Sequence, residues 1–357
     1  MPSPPGRPRP SVPPGRPQRP TRLGNWEVVA KIAGGGMATI YLGRPVDAVE
    51  PVIALKVLKN EHRFDERVTR LFVDEAALLA RLLHPNVVRT LEAGVDEAAD
   101  CRYIAMELML GATLAAVHDA ALAKGATLPH DVVAWIGARV AEALHHAHEL
   151  KGNDNKPLHI IHRDVNPRNI FVTFDGNVKL FDFGMARSQG SMSQSQPGIV
   201  AGTLPYLSPE QVMQLPLDRR TDLFALGTTL WELSTGKRLF RRETDHETVR
   251  AVHVGKIPDP RTIVKEIPEA LARIMMRLLE RNREHRYPTG AAVATDLDAF
   301  VAGRKASASP GANLAAALEN LFPGEKKRQQ GWLKPRIAPS ASMPPPSLRP
   351  PIPKSKP

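Results

Sequence analysis

The chain has 357 residues, 42% of them hydrophobic, with a single cysteine and a formal charge of +11. That is long and apolar enough for one large domain or two packed lobes. The charge sits at the ends: residues 1–22 hold five Arg and no acid, residues 301–357 hold ten Lys or Arg against two Glu, and residues 23–300 are left near −2. A specific nucleic-acid-binding domain is therefore disfavoured, leaving nonspecific contacts of the basic ends with acidic surfaces. The lone Cys101 rules out an intrachain disulfide framework and points to a reducing compartment, the cytoplasm. No apolar run reaches the length of a membrane span or forms a signal-peptide core.

From Met1 to about Arg22 the Pro/Arg-rich composition cannot build a packed element. Residues 24–108 read as strand-rich, with expected strands at Trp26–Ile32, Thr39–Leu42, Val52–Leu58, Val87–Glu92 and Tyr103–Leu108. One helix interrupts them at about 66–83, its apolar face made by Leu71, Phe72, Leu78, Leu79 and Leu82. Beyond 110 helices dominate: Val132–Leu150, then about 219–235, 268–281 and 289–302. The expectation is an α+β fold with a small β-rich lobe (23–108), a larger helical lobe (109–302) and a cleft between them, where ligand sites commonly lie. A short amphipathic helix follows at 313–322, outside the main domain; it reads first as packing back on the domain and second as a docking element for a partner. Pro and Ser return from about Pro335 to Pro357.

Taken singly, the chemistry-bearing residues each have a plain explanation. Gly34-Gly35-Gly36, between two strands, could be a hairpin turn or a loop whose N–H groups close over phosphates. Lys56, inside the apolar run Val52–Leu58, could snorkel from an edge strand or aim its charge into the cleft. Glu75 could be a solvated helix charge or the partner of Lys56. Asp164 and Asp182 could be turn residues, and Asp222 could cap the helix after it. Order and spacing argue against so many independent accidents.

Along residues 24–300 the chain resembles bacterial Hanks-type (eukaryotic-like) serine/threonine protein kinases. The matching segments, in chain order, are the loop Ile32–Ile40, Ala54-Leu55-Lys56, Glu75, His84-Pro85-Asn86, His162-Arg163-Asp164 with Asn169, Asp182-Phe183-Gly184, Gly202-Thr203, Ser208-Pro209-Glu210, Asp222 and Arg286. The resemblance implies a two-lobe kinase fold and a protein substrate, with ATP and Mg²⁺ (or Mn²⁺) required. It implies that Ile32, Ala33, Gly34, Gly35, Gly36, Met37, Ala38, Thr39 and Ile40 cover the phosphates, and that Lys56, paired with Glu75, holds them. Asn169 and Asp182 would bind metal, and Asp164 would accept the hydroxyl proton. Met106 would gate the adenine pocket, backbone groups of Glu107 and Met109 would pair with the base, and Ala54, Ile40 and Phe171 would sandwich it. Thr203 would bridge to Asp164, and Glu210 would pair with Arg286 to brace the helical lobe.

Departures from the family pattern carry their own expectations. Ala33 and Ala38 replace two loop glycines, at about 1–2 kcal/mol if either position needs positive φ. Asn166 stands where serine/threonine kinases place lysine. Arg168, four residues after Asp164, matches the arginine that tyrosine kinases use there and is expected to replace the missing charge. Gly202–Tyr206 follows the serine/threonine pattern, with dual specificity left open. The polar loop 187–198 carries Ser188, Ser191, Ser193 and Ser195; autophosphorylation is expected at Ser193 or Ser195, with Arg163 as the phosphate's partner. Competing readings are a pseudokinase scaffold, a small-molecule phosphotransferase, which would lack the Gly202–Glu210 segment, and a nucleic-acid-binding protein resting on the ends alone.

Overall fold

The computed structural model describes residues 21–48, 50–62, 64–97, 100–183, 187–188, 203–304 and 308–334. The first lobe is a six-stranded sheet in the order β1-β2-β3-β4-β6-β5, made by β1 (Arg22–Leu23), β2 (Trp26–Gly34), β3 (Ala38–Pro45), β4 (Ile53–Leu58), β5 (Thr90–Asp96) and β6 (Cys101–Glu107). Every neighbouring pair is antiparallel. All six residues of β4 are buried, and its two-residue period separates two apolar faces. Ile53, Leu55 and Val57 pack with Leu23, Val28, Tyr103 and Cys101 on one face. Leu58 packs with Ala38, Ile104, Phe72 and Ala76 on the other, under helix α1 (Glu66–Leu79). Burial there pushes the Cys101 thiol up to about 11, helped by Asp96 and Asp100.

One expected strand is displaced. Of the expected Val87–Glu92, only Thr90–Glu92 is strand; Val87 and Val88 are buried in the large core, Val88 N–H donates to the Leu180 carbonyl at 3.0 Å, and the alternating strand starts at Thr90. The apolar pair prefers complete burial after the His84-Pro85-Asn86 turn, and pleated alternation begins only where polar residues interleave. Asn86 fastens that turn to the second lobe: its Nδ2 donates to Val178 O at 2.8 Å and its carbonyl accepts from Leu180 N.

The second lobe begins with β7 (Gly111–Thr113) and two helices, α2 (Leu114–Ala123) and α3 (His130–His148). The strands β8 (Ile160–Ile161), β9 (Ile170–Thr173), β10 (Val178–Leu180) and β11 (Arg187–Ser188) follow. β7, β9 and β10 form a small sheet beneath the cleft, and β11 pairs with β8. Helices α4 (Pro209–Val212), α5 (Arg220–Thr235), α6 (Asp245–Val254), α7 (Glu269–Leu278) and α8 (Gly290–Ala302) complete the lobe. In α5 every residue after Arg220 is buried, so this helix is the post around which the others pack. Sequence patterning did not anticipate α2 or α6.

The C-terminal helix α9 (Pro310–Leu321) buries Leu314 and Leu318 in the main core, and α10 (Glu325–Gln330) follows it. Gly311 lies against Gly176, whose φ is +80° and where a Cβ would stand 2.0 Å from the Gly311 carbonyl. No helix among the described residues is long and apolar enough to cross a membrane.

Candidate active site

Cross-strand register starts the site. Lys56 faces Ile104 in β6 and Ile40 in β3, while Ala54 faces Met106 and Leu42. Since Ala54, Lys56 and Leu58 share the face under α1, the Lys56 ammonium meets the helix. Its Nζ lies 2.7 Å from both Glu75 carboxylate oxygens and 3.3 Å from Asp182 Oδ1. Glu75 is only 2% exposed. Burial works against the Lys56 charge, but Glu75 and Asp182 outweigh it and hold the ammonium above the usual lysine range. Burial pushes Glu75 upward and Lys56 pulls it back. One cation thus joins the small lobe's strand, its helix and the loop leaving β10.

Asp182 sits at φ +63°, with its side chain 38% exposed, while the adjoining Phe183 is buried with its ring centroid 4.5 Å from that of His162. The backbone reversal sends the carboxylate to the cleft and the ring to the core. His162 ties the two loops together: its Nδ1 accepts from Asp164 N at 3.3 Å and its Nε2 lies 3.4 Å from the Phe181 carbonyl.

Asp164 is held by two amides. Asn166 Nδ2 donates to Asp164 Oδ1 at 2.9 Å and Asn169 Nδ2 to Oδ2 at 2.9 Å; both also reach the Asp164 main-chain carbonyl. Asn166 Oδ1 accepts from Arg168 N at 2.9 Å. The Asn166 side chain is therefore fully engaged inside its own loop, and the residue is 1% exposed. Arg168 is exposed, and its guanidinium has no hydrogen-bond or ion-pair partner among the described residues. Burial raises the Asp164 carboxyl above the usual range, Asp182 adds to this, and His162 with the two amides opposes it.

Behind the loop stands Asp222, 0% exposed. It is not the cap of its helix; the cap is Arg219, and Asp222 lies in the first turn of α5. Its Oδ2 accepts from His148 Nε2 at 2.8 Å and His162 N at 2.9 Å, and its Oδ1 from Arg163 N at 2.8 Å. Those bonds fix Arg163 at φ +68°. Although burial alone would raise Asp222, these donors, His148 above all, hold it below the usual carboxylate range. His148 was not singled out from the sequence; the His cluster closing α3 (His145, His146, His148) was the available signal.

The remaining candidate residues fall as follows. Ala33 and Ala38 lie in β2 and β3, and neither has positive φ, so the conformational penalty expected for alanine does not arise. Ile32, Gly34, Gly35, Gly36, Met37, Thr39 and Ile40 form the β2–β3 hairpin, closed by Gly35 N to Ala38 O at 2.9 Å. Met106 packs against both the large core and the α1 face, and Phe171 meets Phe181 edge-on at 6.3 Å. Glu107 N–H donates to the Arg89 carbonyl at 2.9 Å, and its side chain pairs with Lys179 at 2.7 Å. Met109 follows at the lobe junction, partly buried against the large core. Thr203 opens the turn Leu204–Tyr206.

Glu210 takes Arg286 bidentately at 2.7 and 2.9 Å and Thr221 Oγ1 at 2.9 Å, and the other Arg286 donors reach the carbonyls of Glu280, Arg220 and Arg281. Burial raises Glu210, and Arg286 outweighs it and holds the carboxyl low. Ser188 falls in β11, whereas Ser191, Ser193, Ser195, Gly184 and Gly202 lie outside the described residues.

A family model described as "Protein kinase domain" matches residues 26–297. The chain belongs to the protein kinase family, of the bacterial Hanks type. It is 35% identical over 306 residues to the tyrosine-protein kinase MasK of Myxococcus xanthus, covering 85% of this chain and 47% of the relative. It is 38% identical over 278 residues to a probable serine/threonine-protein kinase of Clostridium perfringens (77% of this chain, 38% of the relative). With the serine/threonine-protein kinase PknL of Mycobacterium tuberculosis the figures are 34% over 275 residues, 76% and 65%. The chain spans less than two thirds of each of these relatives.

Proposed function

We propose that the chain transfers the γ-phosphoryl group of ATP to serine and threonine hydroxyls of protein substrates in cytoplasmic signalling, and phosphorylates its own 187–198 loop. The observation carrying this reading is the Lys56–Glu75–Asp182 contact across the cleft from an amide-clamped Asp164. Nothing favours the scaffold alternative. The relatives' printed names include both serine/threonine and tyrosine kinases, so hydroxyl preference is part of the test.

The donor set fits a hard divalent cation. Asn169 gives its amide nitrogen to Asp164, leaving Oδ1 as an oxygen ligand, and Asp182 adds a carboxylate at the cleft surface. Mg²⁺, or Mn²⁺, would supply charge neutralisation on the phosphates when bound there. Lys56, kept straight by Glu75, neutralises further phosphate charge. Glu107 N–H is committed to Arg89, so the base would meet the Glu107 carbonyl and the Met109 main chain, between Ala54, Ile40 and Phe171. Asp164 orients the substrate hydroxyl and takes its proton as the new O–P bond forms and the bond to the β–γ bridging oxygen breaks, releasing ADP. With Asn166 turned inward, Arg168 is the group to steady the transferring phosphoryl. A partner docking to the C-terminal segment must use a surface other than Leu314 and Leu318, which the domain covers.

The test compares wild type with Asp164→Asn, using Mg·ATP, a generic basic protein and phosphoproteomics with phosphoamino-acid analysis. Ser/Thr phosphorylation by the wild type alone is expected. Equal labelling by both proteins, or labelling by neither, would refute the proposal.

A further inference from the structure

Residues beyond the helical lobe cross back over the junction between lobes. The crossing is anchored at three points. On the large lobe, Gly311 sits on the Gly176 turn, Leu314 and Leu318 fill the core, and Lys124 Nζ donates to the Asn320 carbonyl at 2.5 Å. At the junction, Gln329, 6% exposed, grips Gly111 with both ends of its amide: Gly111 N donates to Oε1 at 2.7 Å, and Nε2 donates to the Gly111 carbonyl at 2.9 Å. On the small lobe, Arg44 in β3 donates to the carbonyls of Trp332, at 2.9 Å, and Lys334.

The middle anchor is the informative one. Gly111 opposes Thr173 in the antiparallel β7–β9 pair, and a Cβ at Gly111 would stand 2.0 Å from the Val172 carbonyl. Its two main-chain groups are turned away from β9, as at a non-hydrogen-bonded pair, and would otherwise be orphaned. A primary amide carries the same donor and acceptor as a peptide unit, so Gln329 substitutes for a neighbouring strand. Glu325 holds it in place, accepting from Gln329 Nε2 at 2.8 Å and Arg328 Nε at 2.7 Å. Gly111 is four residues after Glu107 and two after Met109. Whatever fixes Gly111 fixes the segment assigned to the base.

We infer that Gln329 is a positioning residue for the nucleotide, holding the Glu107–Gly111 connection in register for the adenine ring while the flanking anchors limit the opening of the lobes. This deepens the nucleotide reading above and rests on it. Because the grip lies away from Asp164 and Asp182, its loss should weaken capture of the base and spare the transfer step.

The experiment uses the full chain as wild type, Gln329→Met, which keeps length and burial but loses both bonds, and Gln329→Asn, one methylene short. Affinity for the magnesium complex of a non-hydrolysable ATP analogue is measured by calorimetry, and autophosphorylation rate at saturating ATP by phosphate incorporation. Two net hydrogen bonds set a ceiling of about thirtyfold on the affinity loss, and Gln329→Met should lose several-fold within it, since the bonds are also present without nucleotide. A smaller loss is expected for Gln329→Asn, with saturating rates within about twofold of wild type. Amide exchange at Gly111, followed in the same proteins, should quicken in the same order, and Gln329→Asn carries both measurements if Gln329→Met does not fold. Unchanged affinity in the variants, or a saturating rate that falls as far as affinity, would overturn the inference. A wild type that does not bind the analogue at all would instead overturn the nucleotide reading, and this inference with it.

Discussion

Replacing Asp222 by Asn tests how far the catalytic loop depends on a residue that touches no substrate. The carboxylate accepts three hydrogen bonds, two on Oδ2 and one on Oδ1, at 2.8–2.9 Å. An amide has one acceptor oxygen. In its better orientation it keeps His148 and His162 and turns an NH₂ toward Arg163 N–H. That leaves a half-buried donor unsatisfied, at about 1–3 kcal/mol, and the two retained bonds lose their charge-assisted part, about 1 kcal/mol each. The total is about 3–5 kcal/mol against a typical domain stability of about 5–15 kcal/mol. Asp222→Asn should therefore fold, with a lower urea midpoint and an unchanged slope. Arg163 would also lose the bond that holds it at positive φ, a conformation costing about 1–2 kcal/mol. If the loop relaxes by about 1 Å at Asp164, turnover falls about a hundredfold while ATP affinity changes little. The Asp222 carboxyl in the folded chain lies below the usual range, so its contribution is complete above that range and is lost as pH falls from there through the lower folded value. The variant should accordingly lose less stability on acidification than the wild type. An Asp222→Asn protein with the wild-type midpoint and turnover would refute this account.

Removing Lys56 (Lys56→Met) strands the buried Glu75 and should cost about 3–5 kcal/mol; adding Glu75→Gln should recover much of the midpoint in urea melts but none of the ATP binding. Arg168→Ala should cut turnover strongly in steady-state assays with little change in nucleotide affinity, and equal turnover would remove Arg168 from the phosphoryl site. Asp164 must be deprotonated to accept a proton, so turnover should fall with decreasing pH through a value above the usual carboxylate range. Because the Asn166 bond holds that carboxyl down, Asn166→Ala should move the acid limb of the pH profile to higher pH.

Much of the site was legible because a lysine inside an apolar strand, aspartates in short loops and an asparagine five residues after one of them stand in the order and spacing of the kinase motifs; singly, each had a plain explanation. The pairing of Lys56 with Glu75 came from the resemblance to the kinase family, since the residues alone left Glu75 open as a solvated helix charge. What was not legible depends on contacts distant along the chain. An aspartate ahead of an apolar helix reads as a cap, and nothing local reveals that Asp222 is aimed backward at a loop 60 residues earlier, or that His148 joins it. Gln329 lies in the run Glu-Lys-Lys-Arg-Gln-Gln, which looks like solvated surface. Asn166 read only as a residue standing in place of a lysine; its commitment to Asp164 emerges only from the folded loop. The displaced strand at Val87 has the same origin, since two valines fit a strand and a core equally well until the core is known.

The single cysteine has a practical consequence. Cys101 is enclosed in the small-lobe sheet and remains protonated at neutral pH, so it is a poor nucleophile toward maleimides and other alkylating reagents. A thiol introduced on each rim of the cleft would then be labelled without first removing a native one. The separation of the lobes could be followed spectroscopically in an otherwise unaltered chain.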